Sequence, residues 1–214
     1  GDLWPKPCCD KGCWARWKDE VVDPALLVGK LGGAFYWDGS ADTHPVVECR
    51  RAGWGVAFLD EADQVVARVA GPVWANLPQT PQAAEYVGLA AATQMLGHEA
   101  QGFGDCWNVV RDAQRLQVAL TNPRRRYAGV LRAVAAEPGW RWLGEVQWVP
   151  GHLREKIGEA RFCGLAPQEQ RRARGNEQAD EVADHGRAQR ERPGRQVEQH
   201  TSALVDHVRS VCRL

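Results

Sequence analysis

The chain has 214 residues, 44% of them hydrophobic and 25% charged, with 22 Gly, 12 Pro, 10 Trp and 7 Cys. That length suits one domain of about 150 residues with flanking segments, and the apolar share excludes intrinsic disorder for most of it. Lys plus Arg and Asp plus Glu number 27 each, so a formal net charge of zero excludes a strongly basic nucleic-acid coat but leaves room for local basic patches.

No run approaches the ~18 apolar residues of a membrane span, and the first 30 residues lack a secretory apolar segment. The odd, scattered cysteines fit a reducing intracellular compartment, nucleus or cytoplasm, better than a disulfide framework. A start on Gly rather than Met reads as an excised domain or a processed chain. Residues 1–30 are rich in Pro, Cys and Trp without clear periodicity and read as an extension. Cys8, Cys9 and Cys13 have no fourth ligand nearby for a structural zinc, so none is expected.

From Leu31 the texture changes. Residues 34–37 form an aromatic strand that ends at Asp38-Gly39-Ser40, and 53–60 and 64–74 complete an antiparallel three-strand meander. Thr80 caps the first helix, Pro81 suits its first turn and Gly97 closes it. Residues 99–104, with one large apolar residue and two glycines, are a poor strand, either short and bulged or leaving Asp105 displaced with Asp112 as its substitute. Helices are expected over 106–120 and 125–136, the second stopped by Pro138-Gly139. Residues 140–149 alternate as a half-buried strand with Trp140, Trp142, Val146 and Trp148 on one face, the tryptophans as core. A last helix runs from Asn176 to Ala188, and a weakly amphipathic tail follows. Strands first and helices later give an α/β fold, a mixed sheet covered by helices.

This order places four carboxylates where they can meet: Asp38 at a strand end, Glu85 early in the first helix, Asp105 before the second, and Asp180 in the last. Here the chain resembles the ribonuclease H family, type 1-like, including the ribonuclease H domains of retroelement reverse transcriptases. The matching pieces are DGS at 38–40, RRAGWGV at 50–56, TPQAAE at 80–85, DCWNVV at 105–110, VPGH at 149–152 and GNEQADEVADHG at 175–186, all in the family's order. A single piece carries little; six in order are specific.

The resemblance implies a five-stranded mixed sheet and an endonuclease that hydrolyses the RNA strand of RNA–DNA hybrids, leaving a 5′-phosphate. A phosphodiester repels nucleophiles, and two Mg²⁺ ions about 4 Å apart, with Mn²⁺ as a substitute, overcome this within a carboxylate cage. The resemblance makes Asp38 the bridge between both ions, Asp180 the ligand on the water side, and Glu85 with Asp105 the ligands on the leaving-group side. It makes His152 the mobile-loop histidine of proton transfer or product departure, and Asn176 the residue that orients Asp180 and the substrate. Gly39, Ser40 and Gln82 become substrate contacts, Gln82 toward a 2′-hydroxyl. Pro81 stands where the family often has Asn and donates no hydrogen bond. Trp107 lies beside Asp105, for packing or for DNA-strand contact. Arg124, Arg125 and Arg126, with Arg171, Arg172 and Arg174 in a long basic loop over 153–175, are candidate phosphate contacts. Cys106 reads as a small packed residue.

The expected organisation is an extension over 1–30, a catalytic domain over 31–188 and a tail over 189–214. The expected molecule is an intracellular monomer without membrane association, a retroelement piece whose polyprotein supplies a reverse transcriptase. A catalytically inactive domain that binds hybrid or connects parts of a reverse transcriptase is the alternative, favoured by the poor strand before Asp105; saturable Mg²⁺ or Mn²⁺ binding separates the two. A resolvase or exonuclease on the same fold is a third reading, which branched-DNA cleavage would reveal.

Overall fold

The computed structural model describes residues 12–122, 124–192 and 194–212. Seven strands are β1 (Trp14–Trp17), β2 (Glu20–Val22), β3 (Leu31–Ala41), β4 (Ala52–Leu59), β5 (Val65–Pro72), β6 (Leu96–Gly104) and β7 (Leu143–Trp148). They form one sheet in the order β2-β1-β5-β4-β3-β6-β7. The pairs from β2 to β3 are antiparallel, whereas β3–β6 and β6–β7 are parallel. Helices α1 (Pro81–Met95), α2 (Trp107–Gln114), α3 (Leu116–Thr121) and α4 (Ala128–Ala136) precede β7. After it come the short α5 (Leu153–Ile157) and α6 (Glu159–Cys163), then α7 (Pro167–Ala188) and α8 (Arg195–Val211).

Strand alternation sorts β3 between two cores. Phe35 and Trp37 join the larger core on the α1 side, with Trp54, Val56, Phe58, Val87 and Leu131. Tyr36 joins the smaller core on the α7 side, with Ala57, Phe103, Val149 and Ala179. Every residue of β4 is buried, because α1 and α7 cover its two faces. The α7 helix approaches β4 so closely that a Cβ at Gly55 would overlap the backbone of Ala183, and one at Gly53 that of Arg187. Here glycine is required by space, not by turn geometry.

Several expectations need correction. Among the described residues the sheet has seven strands, not five. Residues 12–30 supply the two additional strands, whose four and three residues are too short for a readable period. Cys13 is described, whereas Cys8 and Cys9 lie outside the described residues. The poor strand is the nine-residue β6, longer than expected but irregular as the bulged reading had it, with register shifts against both β3 and β7. Its glycines make room for aromatic rings of β3: a Cβ at Gly102 would sit 2.7 Å from Phe35, and one at Gly104 2.5 Å from Trp37. The expected helix over 106–120 breaks at Arg115 into α2 and α3.

Pro138–Trp142 is a 3₁₀ turn, so β7 begins only at Leu143, and Trp142 and Trp148 are exposed. Trp148 shares the face of the buried Val146 but lies past the core, where its Nε1 donates to the Asp105 carbonyl at 2.8 Å. The expected long loop is α5, α6 and the first turns of α7. That helix starts at Pro167, with Glu169 accepting from the Ala166 N–H at 3.1 Å. Charged and polar residues fill its first two turns, which hides the helical period. The tail contains α8, which lies beside the 3₁₀ turn Val47–Cys49 and whose Glu198 meets His44, just before that turn, at 3.1 Å. Among the described residues no helix is long and apolar enough to cross a membrane.

The Gly55 contact gives a stability prediction. Gly55→Ala is expected to destabilise the protein by about 3 kcal/mol or more, because the obstacle is backbone rather than a movable side chain. Urea unfolding would measure it, and an unchanged midpoint would refute the tight crossing.

Candidate active site

The parallel ladder between β3 and β6 ends at the pair Trp37–Gly104. One residue further, Asp38 has lost its neighbour on that side, and a crevice opens at the carboxyl ends of the two strands. Three acidic side chains enter it. Asp38 points to the α7 face and is 6% exposed; its Oδ1 accepts from the Gly39 N–H at 2.6 Å. Glu85 comes from the other face on α1, whose start is fixed by Thr80 Oγ1 accepting from the Ala83 N–H at 3.2 Å. It is 4% exposed, and its Oε2 has no hydrogen-bond partner. Asp105 follows β6 directly. One oxygen from each of Asp38, Glu85 and Asp105 lies within 4.8 Å of the others.

Asp180 approaches from α7, and His152 Nδ1 stands 3.6 Å from its Oδ2. His152 is held at φ 49°, a left-handed conformation, in the turn between β7 and α5. Asn176, one turn before Asp180, donates from Nδ2 to Asp105 Oδ2 at 3.4 Å, while its buried Oδ1 is unpartnered. Gly151 packs against the Asp105 carboxylate, where a Cβ would overlap an oxygen.

Burial and mutual repulsion set the electrostatics. Burial, followed by the charge of Asp105, pushes Asp38 up to about 7. Burial and the charges of Asp38 and Asp105 raise Glu85 well above the carboxylate range. Asp180 is raised by burial, with His152 opposing and Asp184 adding to the rise. Among the described residues no Lys or Arg pairs with Asp38, Glu85 or Asp105. An all-oxygen donor set with an orphaned Glu85 oxygen suits a hard divalent cation such as Mg²⁺ or Mn²⁺.

The remaining sequence candidates divide. Gly39 touches α1 so closely that a Cβ would stand 2.6 Å from the Glu85 nitrogen, and Ser40 donates to Asp184 on α7. Gln82 is half-buried in the first turn of α1, and Trp107 is 56% exposed beside Asp105. Arg124 and Arg126 are exposed, but Arg125 pairs with Asp112 at 2.8 Å. Asp112 is only 2% exposed and also accepts from the Tyr86 hydroxyl at 2.7 Å, so it is no substitute for Asp105. Arg171 pairs with Asp63, Arg172 donates to Gln147 at 2.6 Å, and Arg174 donates to Gln170 at 3.2 Å. Arg171 and Arg172 line a cleft of about 370 Å³ together with the stacked rings of Tyr36 and Phe103, and none of the four carboxylates lines it. Sequence reasoning missed Asp184. It lies four residues after Asp180, and Ser40 lies two after Asp38, so helix and strand periods together would have paired them.

No protein-family model and no curated protein matches the chain. Solved structures do. The RNase H domain of PFV is 17% identical over 72% of this chain and 93% of that one, with a TM-score of 0.52. A foamy viral protease-reverse transcriptase in complex with dsDNA is 16% identical over 75% and 96%, with a TM-score of 0.51. The Prototype Foamy Virus protease-reverse transcriptase is 19% identical over 72% of this chain, with a TM-score of 0.50, and this chain spans 20% of its length. The likeness is one of fold: this chain has the mixed sheet and flanking helices of a ribonuclease H domain.

Two predictions follow from the charges. An acid whose folded pKa is raised stabilises the fold below its ordinary pKa and loses that contribution as pH rises through the raised one. For Asp38 this window runs from 3.8 to about 7. In chelator, Asp38→Asn should therefore be the more stable protein at pH 8, by on the order of 2–4 kcal/mol, with the gap closing toward pH 4. Thermal melts of both proteins across pH would read it, and a gap independent of pH would contradict it. Separately, Arg125→Ala should destabilise by about 2–4 kcal/mol because it strips the buried Asp112 of its nearest cation. Arg124→Ala and Arg126→Ala should leave the melting temperature unchanged.

Proposed function

We propose that the chain is an endoribonuclease that hydrolyses the RNA strand of RNA–DNA hybrids with divalent metal ions. The supporting observation is the convergence of Asp38, Glu85 and Asp105, largely uncompensated and joined by Asp180, in the crevice of a ribonuclease H fold. Asp38 would be shared between two ions, Asp180 would complete the site on the water side, and Glu85 with Asp105 the site on the leaving-group side. Bound Mg²⁺, or Mn²⁺ in its place, supplies water activation and charge neutralisation at the phosphate.

The chain's own residues account for the rest. The Glu85 oxygen without a partner and the raised carboxylates hold a ligand site at the expense of stability, which a bound cation would restore. His152, exposed on its turn and facing Asp180, is placed to exchange a proton with the attacking water or the departing product. Asn176 orients Asp105 and offers a free carbonyl oxygen to the site. Hydrolysis breaks the bond from phosphorus to the 3′ oxygen, which takes up a proton, and leaves the 5′-phosphate on the other fragment. Gly39, Ser40 and Gln82 form the edge that would meet the 2′-hydroxyls of the RNA strand, with Trp107, Arg124 and Arg126 toward the DNA strand.

The catalytic unit in this reading is residues 31–188, active as a monomer inside the cell. The protease-reverse transcriptase context of the foamy viral structures supports a retroelement origin. The inert alternative was favoured by the poor segment before Asp105, which is the strand β6, paired on both sides with register shifts.

With Mg²⁺ the 214-residue chain should cut the RNA of a labelled hybrid, spare duplex DNA and leave branched DNA intact. Asp38→Asn should lose about a hundredfold or more in rate. Undiminished turnover by that variant would sink the assignment.

A further inference from the structure

A cation shared by Asp38 and Asp180 needs the strand β3 and the helix α7 held at one lateral register. Resting on the proposed hydrolytic site, we infer that Ser40, Asp184 and Arg187 form a clamp that sets this register, with Asp184 a positioning residue. Ser40 follows Asp38 by two residues on the same face of β3, and Asp184 follows Asp180 by four on the same face of α7. The second pair therefore repeats the first, one step further from the crevice.

Ser40 Oγ donates to Asp184 Oδ1 at 2.5 Å, and the Arg187 guanidinium reaches the same oxygen at 2.9 Å. The backbone of Arg187 is itself seated on Gly53, and Gly53 is the register partner of Ser40 across β3 and β4. Ser40, Gly53, Arg187 and Asp184 thus close a ring through two strands and one helix. The close glycine crossing fixes how far α7 stands above the sheet, and the hydroxyl–carboxylate bond fixes its slide along the sheet. Asp184 Oδ1 is already occupied by two donors, and Asp184 is absent from the group of oxygens that converge within 4.8 Å. It acts through Asp180 rather than as a ligand.

The test is Mn²⁺ affinity of the full chain, measured by calorimetry without nucleic acid, beside a thermal melt of each variant. Ser40→Ala and Asp184→Ala should each weaken Mn²⁺ binding by about three- to tenfold, the worth of one hydrogen bond to a charged group at a partly exposed site. The double variant should be no weaker than the weaker single, since both changes break one link. Ser40→Thr, which keeps the hydroxyl, should restore the affinity. Wild-type affinity in Ser40→Ala, or additive losses in the double variant, would overturn the clamp and leave the proposed function standing. A wild-type chain without saturable Mn²⁺ binding would overturn that function, and the clamp with it.

Discussion

The repulsion among Asp38, Glu85 and Asp105 is the constraint around which the molecule is arranged. Asp38 and Glu85 are buried beside the half-buried Asp105, and the penalty shows at Asp38, which burial first and then the charge of Asp105 push up to about 7. The penalty is imposed by topology. β3 runs four residues past its last pair with β6, and Asp38, the first of them, lies at a gap in the sheet that α1 reaches from one face and α7 from the other. Neither helix alone could deliver both Glu85 and Asp180 to that gap.

Holding such a cluster requires a rigid frame. Both faces of β4 are covered, and Gly53 and Gly55 let α7 descend onto the strand until backbone meets backbone. On the opposite face, Trp37 spreads over Gly104 and Phe35 over Gly102. Aromatic volume on β3 thus replaces the side chains that β6 lacks. The packing that stabilises the sheet also fixes where β6 stops, and with it the position of Asp105. Fold energy and site geometry are coupled at the same residues.

Much of this was legible because it depends on chemistry carried by single residues. Asp38, Glu85, Asp105 and Asp180 stood out by motif and spacing, and Thr80-Pro81 announced α1 through its cap. What was illegible depends on partners distant in sequence. β6 looked weak because its filling comes from Phe35 and Trp37, 67 residues before Gly102 and Gly104 in a separate strand. The alternating tryptophans suggested core, yet Pro138-Gly139 forced a 3₁₀ turn that placed Trp142 in solvent. Arg125 looked like its neighbours in the run 124–126, and only the fold shows that it faces a buried acid. The start of α7 lacked apolar residues to betray its period, although Pro167 and Glu169 were the expected opening signals.

The contrast between buried acids within this one chain carries the functional argument furthest. Asp112 is buried as deeply as Asp38, yet Arg125 stands 2.8 Å away, Arg111 3.7 Å away, and the Tyr86 hydroxyl donates to it. At Asp42 the backbone and guanidinium of Arg51 outweigh the effect of burial and hold the carboxyl below its ordinary range. Arginines thus neutralise both the buried Asp112 and the half-buried Asp42. Among the described residues Asp38, Glu85 and Asp105 come together with no guanidinium or ammonium partner, and an oxygen of Glu85 has no hydrogen-bond partner. In a molecule that pairs the buried Asp112 and the half-buried Asp42 with arginines, this group of unpaired acids in the crevice of the sheet is what the proposed cation site would require.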